Sequence, residues 1–306
     1  MPRVPAPMRF VLNHPQHNAA GADPDGIAPI AELARRAEVS GWAGFALTEH
    51  PIPGARWNAE GGHDSFDPFV GLAFAAAVTT RLRLLTYLAV LPYRNPLLLA
   101  KAAATLDAQS GGRLILGVGA GYQRSEFAAL GVDYEERNAL FDEALDVLPL
   151  AFRGEPFSFE GRHFQARDVV ARPTPAQDPI PVWIGGNSRL TRRRVIERAQ
   201  GWMPFVISAE ASRAVGTAAL GSVDALRDTI AATRTEAGER PIDVALPYPD
   251  RTIAEVDRDV ERHRDAMGTL EAAGVNWLVL NAPARRTAEF VTEFGETHIP
   301  RAEDGQ

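Results

Sequence analysis

The sequence predicts a single-domain (β/α)8 barrel of the TIM type in the α/β class, and three observations carry that prediction. Short apolar runs alternate with longer amphipathic segments from one end of the chain to the other, the rhythm of strands and helices laid around a parallel sheet. Eight such runs can be counted, the number that closes a barrel. The 306 residues fit one barrel, and no repeat period or low-complexity linker divides them.

The strand candidates are residues 8–12, 44–48, 82–90, 113–118, 181–184, 202–207, 242–247 and 275–281. Between them lie helix signals. Asp67-Pro68 and Asn95-Pro96 each set a capping side chain before a proline, whose fixed φ and missing N–H suit the first turn. Residues 138–152 carry Leu140, Phe141, Ala144, Leu145 and Leu148 at helical spacing, so one face is expected to be buried. Two stretches do not fit the alternation and are read as insertions after strands 2 and 4. Residues 51–65 hold two prolines, three glycines and Trp57, a loop placed to cover a site. Residues 157–164 alternate around Glu160-Gly161 as a small hairpin.

Composition narrows the partners. A net charge of −7 offers no footprint for a polyanion, so nucleic acid is not expected. The run Arg192-Arg193-Arg194 is read as a solvated helix face. With no cysteine, disulfides, thiolate metal sites and cysteine nucleophiles are all excluded. Residues 1–10 hold three prolines and no apolar leader, and no run reaches the ~18 apolar residues of a membrane span. A cytoplasmic protein acting on a small molecule is the expectation.

In a barrel, residues just past the C-terminal strand ends face the site. Four clusters qualify: Glu49-His50, Thr86 to Leu88, Gly119 to Tyr122, and Gly185-Gly186-Asn187-Ser188. The last opens a helix, whose free N–H groups and positive dipole end suit a phosphate, although for a lone Gly-Gly pair an ordinary turn with Asn187 or Ser188 as N-cap is the better-supported reading. Gly117-Val-Gly-Ala-Gly121 lacks the third glycine of a dinucleotide fingerprint and is read as a flat surface for a planar ligand, or as tight packing. His50 can move a proton near neutral pH, while Glu49 can orient it or make a separate salt bridge. His14 and His17 raise a metal-hydrolase alternative, but the other strand ends supply no further ligands, so no metal is expected.

The run TYLAVLPYRNPLLLAKAAATLDAQSGGRLILGVGAGYQRSEFAALGVDYEER, followed by FSFEGRHFQ, PVWIGGNS and GWMP, resembles the luciferase-like monooxygenase family in motif order and spacing from Gly41 to Pro204. The nearest pattern is the branch that uses the deazaflavin coenzyme F420, with users of flavin mononucleotide (FMN) as near relatives. The resemblance implies that Gly185, Gly186, Asn187 and Ser188 hold the cofactor phosphate and that Gly119, Ala120, Gly121 and Tyr122 line its approach. It also implies a bulged third strand, Thr86, Tyr87 and Leu88, with a non-proline cis bond at Tyr87-Leu88 behind the ring. His50 then lies near the ring and the substrate's reacting carbon. Two departures stand out: Tyr122 replaces a carboxylate acid of some relatives, and Pro51-Ile52-Pro53 replaces a tryptophan.

The expected chemistry is hydride transfer between the deazaflavin and a small organic substrate, with His50 as first proton carrier, Tyr122 as second, Glu49 in support and Asn13 touching ring or substrate. FMN-dependent monooxygenation is the alternative, and a cofactor-binding protein without turnover is the rival from another class. Related barrels pair through helices near the third and fourth strands, so a homodimer is expected.

Overall fold

The computed structural model describes residues 7–15, 29–214, 217–283 and 285–300. In chain order the elements are β1 (Arg9–Asn13), α1 (Ile30–Val39), β2 (Gly44–Leu47), α2 (Ala55–Ala59), α3 (Pro68–Val78), β3 (Arg83–Thr86), β4 (Ala89–Val90), α4 (Pro96–Ser110), β5 (Leu114–Gly119), α5 (Arg124–Ala129) and α6 (Arg137–Phe152). The chain continues through β6 (Phe157–Glu160), β7 (Gln165–Val169), β8 (Val182–Gly185), α7 (Arg189–Arg198), β9 (Gly201–Met203), α8 (Ala209–Ala214), α9 (Val223–Ala237), β10 (Asp243–Pro247), α10 (Val260–Ala272), β11 (Trp277–Asn281) and α11 (Thr287–His298).

Eight parallel strands close on themselves in the order β1, β2, β3, β5, β8, β9, β10, β11, with β11 pairing back to β1 residue for residue from Arg9↔Trp277 to Asn13↔Asn281. The predicted barrel is therefore present, as are both insertions. Residues 51–65 include the short helix α2, and β6 and β7 form the antiparallel hairpin.

Because side chains alternate across a strand, each barrel strand feeds two cores. Val11, Ala46, Leu85, Ile115, Trp183, Met203, Ala245, Trp277 and Val279 fill the barrel interior, while Leu12, Phe45, Leu84, Leu116 and Leu278 pack outward against the helices. Several of these outward leucines are 0% exposed, and full burial of such a side chain contributes about 1.5–3 kcal/mol. The same alternation sets the site. Two residues beyond Ala46, Leu85, Gly117 and Trp183 come Thr48, Tyr87, Gly119 and Gly185, and all four line one cavity at the C-terminal mouth.

The helix starts follow their caps. Asp67 Oδ1 accepts from the amides of Phe69 (2.9 Å) and Val70 (3.0 Å), Asn95 Oδ1 accepts from Leu97 (2.9 Å), and Gly111 at φ 68° ends α4.

Two strands differ from the sequence reading. The third is split into β3 and β4 around a cis Tyr87-Leu88 bond. The sixth stops at Met203 rather than Ile207, because Pro204 has no N–H to give the ladder. Ile207 instead makes an isolated antiparallel bridge to Leu220.

Candidate active site

A cavity of about 520 Å³ runs across the mouth from the end of β2 to the start of α7. Its two ends are built differently.

The end at α7 is mostly backbone. Gly186 has φ 115°, a conformation that favours glycine, and the chain then turns into α7 with Ser188 as N-cap. Ser188 Oγ accepts from the Thr191 amide at 3.0 Å and lies 2.9 Å from Thr191 Oγ1. Amides of the first turn have no intrahelical partner, and Gly186, Ser188 and Thr191 line the cavity beside them. Arg194 adds a buried cation to the same wall. Its guanidinium grips Asp142 through Nε (2.7 Å) and Nη2 (2.9 Å) and reaches Asn138 Oδ1 at 3.2 Å.

That placement corrects the reading of Arg192-Arg193-Arg194 as one solvated face. Arg193 is exposed and Arg192 pairs with Glu236, but Arg194 is 4% exposed because Thr191, Arg194 and Val195 form the inward face of α7. The i, i+3, i+4 spacing was the available signal, hidden by the charge run.

Asn187 does not line the cavity. Its amide donates to the carbonyls of Phe205 (2.8 Å) and Ala218 (3.1 Å) and accepts from the Phe205 amide (3.1 Å), while its own backbone N–H donates to Thr217 Oγ1 (3.0 Å). It clips down a loop whose Phe205 and Thr217 close the cavity wall.

The middle wall is Gly119, Ala120, Gly121, Tyr87 and Leu88. A Cβ at Gly119 would lie 2.4 Å from Leu88 Cδ1, and one at Gly185 would lie 2.3 Å from Leu88 Cδ2. These glycines thus admit the Leu88 side chain, so close packing accounts for both. Thr86 is fully buried and donates its hydroxyl to the Gly117 carbonyl at 2.7 Å, which ties β3 to β5 behind the wall. Asn13 is fully buried at the end of β1, donates to Asn281 Oδ1 at 2.8 Å, and stands apart from the residues lining this cavity.

The end at β2 is made of side chains. His50 Nδ1 lies 3.2 Å from Glu126 Oε2 and 3.2 Å from Gln123 Nε2, and its ring packs against Trp57 (centroids 4.8 Å), His63 (5.0 Å) and Tyr122 (6.0 Å). Trp57 and the 51–65 insertion therefore cover this end. Glu126, at the start of α5, is 1% exposed; it also accepts from Tyr93 Oη at 3.0 Å and from the Ile52 amide at 3.4 Å. Burial, reinforced by Glu126, pushes the phenols of Tyr122 and Tyr93 up, so both keep their protons at neutral pH, and Tyr93 donates its own to Glu126. Burial pushes the His63 imidazole down, and the neighbouring His50 adds to this.

The carboxylate beside His50 is Glu126, not Glu49. Glu49 makes the separate salt bridge: Oε1 takes Arg94 Nε (2.9 Å) and Nη2, and Oε2 takes the Val90 amide at 2.6 Å. Burial pushes its carboxyl up, while Arg94 and the Val90 amide pull it down. The result anchors β4, with Glu49 lining the cavity but not serving the imidazole.

His14 Nδ1 lies 3.1 Å from the Pro15 carbonyl, and His17 is outside the described residues. Among the described residues no group of three or more His, Cys, Asp or Glu could hold a metal, and no helix is long and apolar enough to cross a membrane.

A closed parallel barrel with a ligand-sized cavity over its C-terminal strand ends defines a ligand-binding (β/α)8 protein. Residues 8–264 match the model of the luciferase-like monooxygenases, and the chain belongs to that family. An uncharacterized protein of Mycobacterium tuberculosis (strain ATCC 25618 / H37Rv) is 32% identical over 183 residues, 56% of this chain and 63% of that protein. The match to that relative thus spans less than two thirds of its length. The F420-dependent glucose-6-phosphate dehydrogenase of Amycolatopsis mediterranei (strain U-32) is 24% identical, with 92% of this chain and 96% of that protein covered. The crystal structure of monooxygenase RslO1 from Streptomyces bottropensis superposes with a TM-score of 0.74 at 21% identity, covering 96% of this chain and 99% of that one. This likeness establishes the shared fold.

Proposed function

We propose that the chain is an F420-dependent oxidoreductase that moves a hydride between the deazaflavin ring and a small organic substrate. The observation that carries this is one continuous cavity with an anion-binding helix start at one end and a carboxylate-bonded histidine at the other. Its 520 Å³ lies in the ~300–1,000 Å³ range of small-molecule sites. The buried Arg194 and the first turn of α7 fit a phosphate, and the wall of Gly119, Gly121 and Leu88 fits the face of a planar ring. Full-length similarity to an F420-dependent dehydrogenase supports the same cofactor.

The bound deazaflavin would supply the ring carbon that takes or returns the hydride. Everything else falls to the protein. Oxidation of an alcohol to a carbonyl releases a hydride and a hydroxyl proton, and His50 is placed to take that proton at Nε2, since Nδ1 is engaged by Glu126 and Gln123. In the reverse direction the same atom returns it. Tyr122 lines the cavity with a protonated phenol, and Ser188, Thr191 and Arg194 would hold the phosphate. Leu88 and the loop clipped by Asn187 would keep water from the face of the ring.

A second reading, FMN-dependent monooxygenation, draws on the likeness to RslO1. Equilibrium titration of the apoprotein with F420 and with FMN separates the two. Tighter binding of F420 is the expected outcome; tighter binding of FMN would shift the reading to oxygen chemistry, and binding of neither would overturn it.

A homodimer is part of the same proposal. Helix α3 is apolar on every side, so its outward face leaves Val70 and Phe74 61% and 59% exposed beside Leu98 of α4 at 72%. Such an all-apolar helix is expected to be covered.

A further inference from the structure

We propose that Glu126 is a positioning residue that sets the tautomer of His50, holding the proton on Nδ1 so that Nε2 presents its lone pair to the cavity. The proposal deepens the reading of His50 as the proton carrier and rests on it for its functional meaning.

Two partners compete for Nδ1 at the same distance. Glu126 Oε2 and Gln123 Nε2 both lie at 3.2 Å. An ionised carboxylate only accepts, whereas a carboxamide offers either an N–H or a carbonyl by turning over. Gln123 can therefore meet either tautomer, and Glu126 can meet only the one protonated at Nδ1. The alternative would leave a carboxylate oxygen facing a ring lone pair, inside a site where Glu126 is 1% exposed and water cannot relieve the contact. Charge assistance further favours the bond to the carboxylate.

Glu126 is itself held from the far side. Tyr93, whose phenol burial keeps protonated, donates to Oε2, and the Ile52 amide donates to Oε1. Ile52 belongs to the insertion that also carries Trp57, so the segment covering His50 is hydrogen-bonded to the carboxylate that orients it.

The test reads the tautomer directly, with no substrate. The full chain is labelled with 15N-histidine, long-range proton–nitrogen correlations are recorded, and His50 is assigned by the signal lost in His50→Gln. The wild type is expected to show Nδ1 protonated and Nε2 unprotonated. In Glu126→Gln the Ile52 amide, which can only donate, keeps the carboxamide oxygen while the Tyr93 hydroxyl turns to accept, so the NH2 faces Nδ1. The tautomer should then reverse to Nε2–H. Wild-type protein with Nε2 protonated would overturn the proposal, even if the variant fails to fold; so would a folded Glu126→Gln with the wild-type pattern. Titrating the same labelled wild-type sample with F420 keeps the two readings apart. An Nδ1–H tautomer without F420 binding supports the positioning role while defeating the cofactor assignment.

Discussion

The two ends of the cavity solve opposite problems by opposite means. On the proposed reading the α7 end would meet a negative charge with backbone, a turn through Gly186, first-turn amides and a capped helix, backed by the buried Arg194. The β2 end, which on the same reading would handle a proton, uses side chains brought from three places, His50 after β2, Tyr93 before α4 and Glu126 in α5. Backbone dipoles can neutralise charge but cannot exchange protons at neutral pH. The difference implies that binding and turnover should be separable by mutation.

The largest effect should come at the proton end. His50→Gln is expected to lower turnover about 10²–10⁴-fold, the usual worth of a positioned acid–base group. Cofactor affinity should stay close to wild type, as read by fluorescence titration; a parallel loss of binding would erase the distinction between the ends. Arg194→Ala should do the reverse. Loss of a buried, hydrogen-bonded cation is expected to weaken F420 binding by 2–5 kcal/mol, roughly 30-fold or more. Bound enzyme at saturating cofactor should then turn over normally. Gly185→Ala sharpens the comparison from the wall between. Its Cβ would fall 2.3 Å from Leu88 Cδ2, and overpacking of this kind costs about 1–3 kcal/mol, read as a lower denaturant midpoint. Since the flexible end of Leu88 is what must move, the lower half of that range is expected.

The same division decides how much of the site could be read from the sequence. The α7 end is local: strand, Gly-Gly, cap and helix follow one another within residues 182–198, and each step has its own signature. The eight strands were legible for the same reason, and the cis Tyr87-Leu88 bond came from the family resemblance rather than from any propensity. The β2 end depends on Glu126, which is 76 positions from His50 and looks like any acidic residue in a first helical turn. Glu49 was the tempting partner because it is adjacent. Neighbouring residues in extended chain point to opposite sides, so adjacency argued against the pair. Asn187 illustrates the remaining limit: its position beside the Gly-Gly turn was evident, but Phe205 and Ala218, which it clips, became its neighbours only through folding.

Leu88 reaches the void above both Gly119 and Gly185, two residues on adjacent strands separated by 66 positions of chain. The three sites therefore form one steric unit. A homologue that gains a methyl group at either glycine position should carry a shorter residue at position 88, and one that keeps a large side chain there should keep both glycines. Such coupled substitution would be visible in a family alignment as a three-way correlation. It would mark how much room each relative reserves beneath its cofactor.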